Sequence, residues 1–334
     1  MLRRLIILVL FSCLLWHAPA RAQNDQSAPL DALFGAGLPE DEDDATALED
    51  AASRGPVRDL IRERFHKRME KTNGGPISTQ EIAGLSIAYW LPPVVPGEVD
   101  KPKPLVIFSH GFHGCNTQSI FLMKALAEAG YIAVAPDHAD SSCWTGAQGM
   151  DRPEKRFADY ADWSDKTYAS RATDIKNLYA ALKADAVWSR RIDWDKVALA
   201  GHSLGGYTVL GLAGAWPSWK MEGIKGVLAL SPYSQPFANH GDLGHLSVPV
   251  MYQGGTRDFG ITPALRKKGG VYDLTSAPAW YVEFISVGHF GWSDMVDDGH
   301  DRIVAYSLWF LGHVLKGENT PLPKEAGVAE TREK

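Results

Sequence analysis

The sharpest chemical signal in the sequence is Gly201-His202-Ser203-Leu204-Gly205-Gly206. It fits G-x-S-x-G, follows a strand-like run at Val197 to Ala200, and precedes a helical one at Leu204 to Ala215. A strand, sharp turn and helix at that spacing hold the serine in a strained conformation and lift its hydroxyl above the sheet edge. The flanking glycines keep neighbouring backbones from colliding. A hydroxyl is a weak nucleophile until a base takes its proton. The chemistry implied is attack by Ser203 on a carbonyl, and it needs a base, an acid to hold that base, and donors for the oxyanion.

In this strand-turn-helix arrangement the chain order is serine, acid, histidine. Five histidines follow Ser203. His240 and His245 lie in a polar loop ahead of the next strand, His300 begins the last helix, and His313 lies inside it. His289, in Val287-Gly288-His289-Phe290, directly follows a strong strand, where a base can reach the serine across the carboxyl edge of a parallel sheet. The acid belongs just past the strand Val248 to Tyr252. Gln253-Gly254-Gly255-Thr256-Arg257-Asp258 supplies Asp258, which would fix the imidazole tautomer and stabilise the imidazolium. Asp242, Asp273 and Asp294 are rivals, and none of them sits just past a strand end. The strand Leu105 to Ser109 runs into His110-Gly111-Phe112-His113-Gly114, so the backbone N–H groups of Phe112 and Leu204 are the expected oxyanion donors. His110 and His113 have a spacing seen in metal sites, but no third ligand follows, and His138 belongs to another loop. Neither a metal nor a cofactor is expected.

Positioning these groups requires alternating strands and helices. Strands are expected at 85–91, 105–109, 131–135, 197–200, 227–230, 248–252 and 280–287. Helices are expected at 57–71, 118–129, 168–184, 204–215 and 302–315. Strands separated by helices of this length imply parallel crossovers, hence an α/β, doubly wound sheet with helices on both faces. The chain of 334 residues is 45% hydrophobic and 22% charged, which rules out disorder throughout. Net charge of −6 argues against a nucleic-acid partner, and three Cys argue against a disulfide-dense scaffold.

The N-terminus reads as an address. Arg3 and Arg4 precede an apolar run from Leu5 to Trp16, and Ala20-Arg21-Ala22 is a small-x-small site. The expectation is a signal peptide over 1–22, with an uncleaved anchor as the alternative. Cleavage removes Arg3, Arg4 and Arg21 and takes the net charge from −6 to −9. The mature protein is then expected to be secreted or periplasmic, without stable membrane insertion. Residues 23–74 form a polar, acidic extension with one helix, 75–318 the catalytic domain, and 319–334 a polar tail.

Taken together, these motifs resemble the α/β-hydrolase superfamily over roughly 80–316. The likeness is closer to platelet-activating-factor acetylhydrolase-like and dienelactone-hydrolase-like esterases. It rests on Pro104 to Gly111, Ala133 to Ser142, and Ile192 to Gly206. The resemblance implies an α/β-hydrolase fold and a serine carboxylic ester hydrolase acting on a small-molecule or polymeric ester. The layout is also similar to cutinase-like polyester hydrolases, in which aromatics at the positions of Phe112 and Tyr233 flank the substrate. The chain departs from dienelactone hydrolases in having serine rather than cysteine as nucleophile. It departs from the cutinase-like group in its N-terminal extension and in 144–166. That segment carries Trp144 and Trp163 and is expected to be either a lid or pocket wall that binds substrate, or a surface excursion with buried aromatics. Cys115 and Cys143 follow neighbouring strands, so a disulfide is expected, with two free thiols as the alternative. A peptidase or acyltransferase would use the same triad. A non-catalytic binding protein would lack part of it.

Overall fold

The computed structural model describes residues 63, 67, 69–94, 101–142, 157, 159–240, 242–276 and 278–334. The expected signal peptide, most of the acidic extension, Cys143 and Trp144 lie outside the described residues. Of the helix expected at 57–71, the described residues are helical, and buried Met69 packs into the domain core.

Nine strands form one sheet in the order β1-β2-β4-β3-β5-β6-β7-β8-β9. They are β1 (Ser78–Ile82), β2 (Leu85–Trp90), β3 (Lys103–Ser109), β4 (Ile132–Pro136), β5 (Ile192–His202), β6 (Ile224–Leu230), β7 (Val250–Gly255), β8 (Ala279–Phe284) and β9 (Val328–Glu333). Strands β3 to β8 pair in parallel, β1, β2 and β4 pair antiparallel at one edge, and β9 pairs antiparallel with β8 at the other. Ala83 and Gly84 both take positive φ, as a two-residue hairpin turn between β1 and β2 demands.

The central strands are apolar on both faces, and period-2 alternation sorts their side chains into two cores. Leu105, Ile107, Val197, Leu199, Val227 and Val250 enter one core. Val106, Phe108, Ala198, Ala200, Leu228 and Met251 enter the other. Helices α1 (Ile120–Glu128) and α4 (His300–Leu311) cover the second core. Helices α2 (Ala169–Ala184) and α3 (Leu204–Leu210) cover the first. In α4 the buried Ile303, Tyr306, Ser307 and Phe310 follow the i, i+3, i+4, i+7 rule of a one-sided helix. Each fully buried aliphatic side chain contributes roughly 1.5–3 kcal/mol. Among the described residues no helix is long and apolar enough to cross a membrane.

The sequence reading differs from the structure mainly at the chain ends. The polar tail expected past 318 contains β9, whose alternating half-buried and exposed residues leave no apolar run to detect. Similarly, β1 is almost wholly exposed. Two helices end in π turns, Gly211–Ala215 and Gly312–Lys316, where one unbroken helix was expected.

Candidate active site

Five strand ends on one edge of the sheet supply the site. Strand β5 ends at His202, and Ser203 takes φ 54, ψ −116, a region closed to most side chains without support from their surroundings. Three contacts explain the glycines around it. A Cβ on Gly205 would strike the carbonyl oxygen of Ser109, one on Gly201 would strike the Gly205 carbonyl, and one on Gly206 would strike Pro232. The turn is therefore wedged between β3 and the loop after β6.

The structure brings Ser203, His289 and Asp258 together. His289 Nε2 lies 2.9 Å from Ser203 Oγ, and His289 Nδ1 lies 3.3 Å from Asp258 Oδ2. Asp258 is buried. Sequence reasoning missed a fourth group, Ser231, which follows β6 and is buried with φ 40. Its hydroxyl donates to Asp258 Oδ2 and sits 3.0 Å from His289 Nδ1. Its place at a strand end beside Pro232 carries no distinctive spacing in the sequence.

The rival acids do other work. Asp294 accepts the N–H groups of Ile120 and Phe121 and caps α1. Asp273 accepts from Gly269 N. Asp242 falls in a short 3-10 turn. Of the other histidines, His240 closes a helix, His245 lies in that 3-10 turn, His300 stacks on Phe121, and His313 stacks on Trp309.

Leu204 opens α3 directly after the serine. Phe112 stands on the loop after β3, where a Cβ on its neighbour Gly111 would lie 3.4 Å from Ser203 Cβ. The two expected donors thus belong to segments next to the serine. Gln118 braces this region, a role the sequence did not reveal. Its Oε1 accepts from Gly111 N at 2.8 Å, and its Nε2 donates to His202 Nδ1 at 3.1 Å. His202 Nε2 in turn donates to the His289 carbonyl at 2.8 Å. Burial, and the imidazole of His289 beside it, hold His202 well below the usual histidine range, so it serves as a neutral strut.

The expected aromatic residues form a packed block. Phe112 meets Phe157 edge-on at 5.2 Å, Phe157 meets Tyr233 at 4.6 Å, and Trp163 packs on Tyr233, Tyr168 and Tyr207. Tyr233 and Trp163 are only 7% and 5% exposed, and Tyr233 donates its hydroxyl to the Phe157 carbonyl. Trp163 is therefore a buried aromatic behind Phe112, which fits both a pocket wall and a surface excursion with buried aromatics.

His110 and His138 belong to a buried polar cluster. His138 Nδ1 pairs with Asp174 and its Nε2 with Ser109 Oγ, both at 2.9 Å. His110 Nε2 accepts from Ser141 Oγ at 2.6 Å, and His110 Nδ1 donates to Gly111 O at 2.7 Å. His113 Nδ1 faces the Asp140 carbonyl. Burial and the Arg171 charge push His110 and His138 below the usual range. Cys115 is buried, with Sγ 3.2 Å from Thr117 Oγ1, and its expected partner lies outside the described residues.

A mostly parallel sheet with crossover helices on both faces, and a serine on a strand-turn-helix elbow at its carboxyl edge, define an α/β-hydrolase fold. Two comparisons with known proteins agree with that fold class. A family model described as Chlorophyllase matches residues 91–234, a stretch that holds the loop after β3 and the elbow. Esterase YjfP of Escherichia coli (strain K12) is 28% identical over 142 residues, which cover 42% of this chain and 51% of that protein. The chain thus spans about half the length of this curated relative. Neither description names the acetylhydrolase-like, dienelactone-hydrolase-like or cutinase-like branches.

Proposed function

We propose that the protein is a serine carboxylic ester hydrolase that works through an acyl-enzyme. The observation that carries this reading is the 2.9 Å contact between His289 Nε2 and Ser203 Oγ on the elbow. His289 takes the Ser203 proton as Oγ attacks the ester carbonyl. Asp258 holds the imidazole with its proton on Nδ1 and stabilises the imidazolium. The N–H groups of Phe112 and Leu204 receive the oxyanion, each worth about 3–4 kcal/mol in the transition state. Collapse expels the alcohol, which takes its proton from His289. Water, deprotonated by the same imidazole, then releases the acid and frees Ser203.

The printed names of the matched family and relative support an ester as substrate. Phe112 is the surface against which that substrate would lie, and Tyr233 and Trp163 back it from behind. Removal of 1–22 and export remain part of this proposal, as does a Cys115–Cys143 bridge. Mass spectrometry of the exported protein should place its N-terminus at Gln23, and thiol titration of the denatured, unreduced protein should find no free thiol.

The central experiment is hydrolysis of p-nitrophenyl acetate, butyrate, octanoate and palmitate by wild type and Ser203→Ala. Turnover that vanishes in the variant supports the reading, and the chain-length profile sizes the acyl site. Turnover that survives in the variant overturns the nucleophile. Failure on every ester directs attention to peptides or acyl transfer.

A further inference from the structure

Arg171 is an arginine buried to 0% exposure on the apolar stripe of α2, in register with Ile175, Leu178 and Leu182. Isolated buried charge is very costly, and even a paired one seldom stabilises a fold relative to apolar packing. A guanidinium in this position therefore calls for a reason other than stability.

All five of its N–H groups are used. Nε and Nη2 grip the Asp140 carboxylate at 2.9 and 2.7 Å. Nη1 donates to the His110 carbonyl at 2.7 Å and to Ser109 Oγ at 3.4 Å, and Nη2 donates to the Gly111 carbonyl at 3.0 Å. Although burial opposes its ionisation, Asp140 is held well below the usual carboxylate range by Arg171, so the pair stays charged.

The two carbonyls belong to consecutive peptide planes of the loop after β3. A trans peptide is planar, and its C=O and N–H point in opposite directions. The His110–Gly111 plane is pinned at both ends, by Arg171 on the carbonyl and by Gln118 on the N–H. The Gly111–Phe112 plane is pinned at its carbonyl by Arg171, with His110 Nδ1 and Gly114 N on the same oxygen. Fixing that carbonyl fixes the opposite direction, along which the Phe112 N–H points. The Gly111 side of this loop lies against Ser203.

We infer that Arg171 is a positioning residue for the oxyanion site: with Asp140 as its counterion, it clamps the His110 and Gly111 carbonyls and thereby aims the Phe112 N–H. The inference rests on the reading of Phe112 N–H as an oxyanion donor. A lysine cannot replace it, because one ammonium cannot reach a bidentate carboxylate and two carbonyls at once.

The test uses the mature protein with Arg171→Met, Arg171→Lys and Asp140→Asn. Active sites are counted by fluorophosphonate titration so that misfolded protein does not enter kcat. Loss of one aimed donor should lower kcat per active site about 100-fold in Arg171→Met, with KM changed less than about threefold. Arg171→Lys should recover only a small part of that loss. Asp140→Asn keeps the guanidinium but removes its counterion, so the folded fraction should fall and kcat per active site should drop about tenfold. Crystal structures of the variants supply a readout independent of turnover: the Gly111–Phe112 peptide should be rotated or present in two orientations. An unchanged peptide plane, or a loss confined to active-site count and melting temperature, would overturn the inference. If wild type hydrolyses no ester, the proposed function fails, and the peptide plane still decides what Arg171 does.

Discussion

Ser231 Oγ lies 3.0 Å from His289 Nδ1, closer than the 3.3 Å that separates this nitrogen from Asp258. The same hydroxyl donates to the Asp258 carboxylate. The imidazole N–H thus has two acceptors, one of which is ordered by the other. Removing it with Ser231→Ala leaves Asp258 to hold the ring alone across a longer gap. A hydrogen bond to a charged group is worth about 1.5–3 kcal/mol. We expect kcat/KM on p-nitrophenyl esters to fall roughly 10- to 100-fold, with KM nearly constant. Full activity in the variant would show that the carboxylate suffices.

The elbow makes a steric prediction. In Gly205→Ala the new methyl would overlap the Ser109 carbonyl at the end of β3, so backbone rather than a flexible side chain must move. The expected loss is about 3 kcal/mol of stability, with activity lost as well. Gly244→Ala meets nothing within 4 Å and should change stability by less than about 0.5 kcal/mol. Denaturant titration of both variants checks the pair, and equal midpoints would refute the packing argument.

The positions of Ser203, Asp258 and His289 were legible because strand ends in a parallel sheet converge on one edge, and the apolar runs before each residue mark those ends. That the loop after β3 lies beside Ser203 was legible through its two glycines. Ser231 was hidden because a serine after a strand carries no distinctive spacing. Arg171 was hidden for a different reason. It continues the stripe of Ile175, Leu178 and Leu182 by one turn, but arginine reads as a solvated position unless a buried counterion is known. Asp140, which supplies that counterion, is 31 residues away in sequence. Strand β9 was missed because its exposed edge mixes charge with small residues and leaves no alternating apolar pattern.

Asp294 and Asp258 should separate cleanly. Asp294 caps α1 through the Ile120 and Phe121 N–H groups, and α1 has no side-chain cap from Ser119. Asp294→Ala should cost about 1 kcal/mol of stability and change kcat only a few-fold. Asp258→Asn should leave the melting temperature close to wild type and reduce kcat by about 10⁴. The opposite pattern, in which Asp294→Ala abolishes turnover, would exchange their roles.

The buried cluster sets how stability depends on pH. Burial lowers the affinity of His110, His138 and His202 for protons in the folded state, while the unfolded chain binds protons at each below the ordinary histidine range near 6.5. Their contribution is fully present above that value and is lost as pH falls, at about 1.4 kcal/mol per pH unit for each histidine that stays neutral. Asp174 acts in the opposite sense. Burial, with the like charge of Asp140, pushes its carboxyl up to about 6 against the opposing pull of Arg171. The folded state therefore holds a proton there that the unfolded state has released, and this contribution is present below the ordinary aspartate value and lost as pH rises through about 6. Acidification of wild type should thus destabilise the protein between pH 6 and 4, but less steeply than three histidines alone would require. In Asp174→Asn the compensating proton is gone. The variant should lose stability more steeply over the same interval and gain relative to wild type above pH 7. Urea midpoints of the two proteins at pH 4.5, 6 and 7.5 would measure this, and parallel curves would mean that Asp174 titrates alike in the folded and unfolded chains.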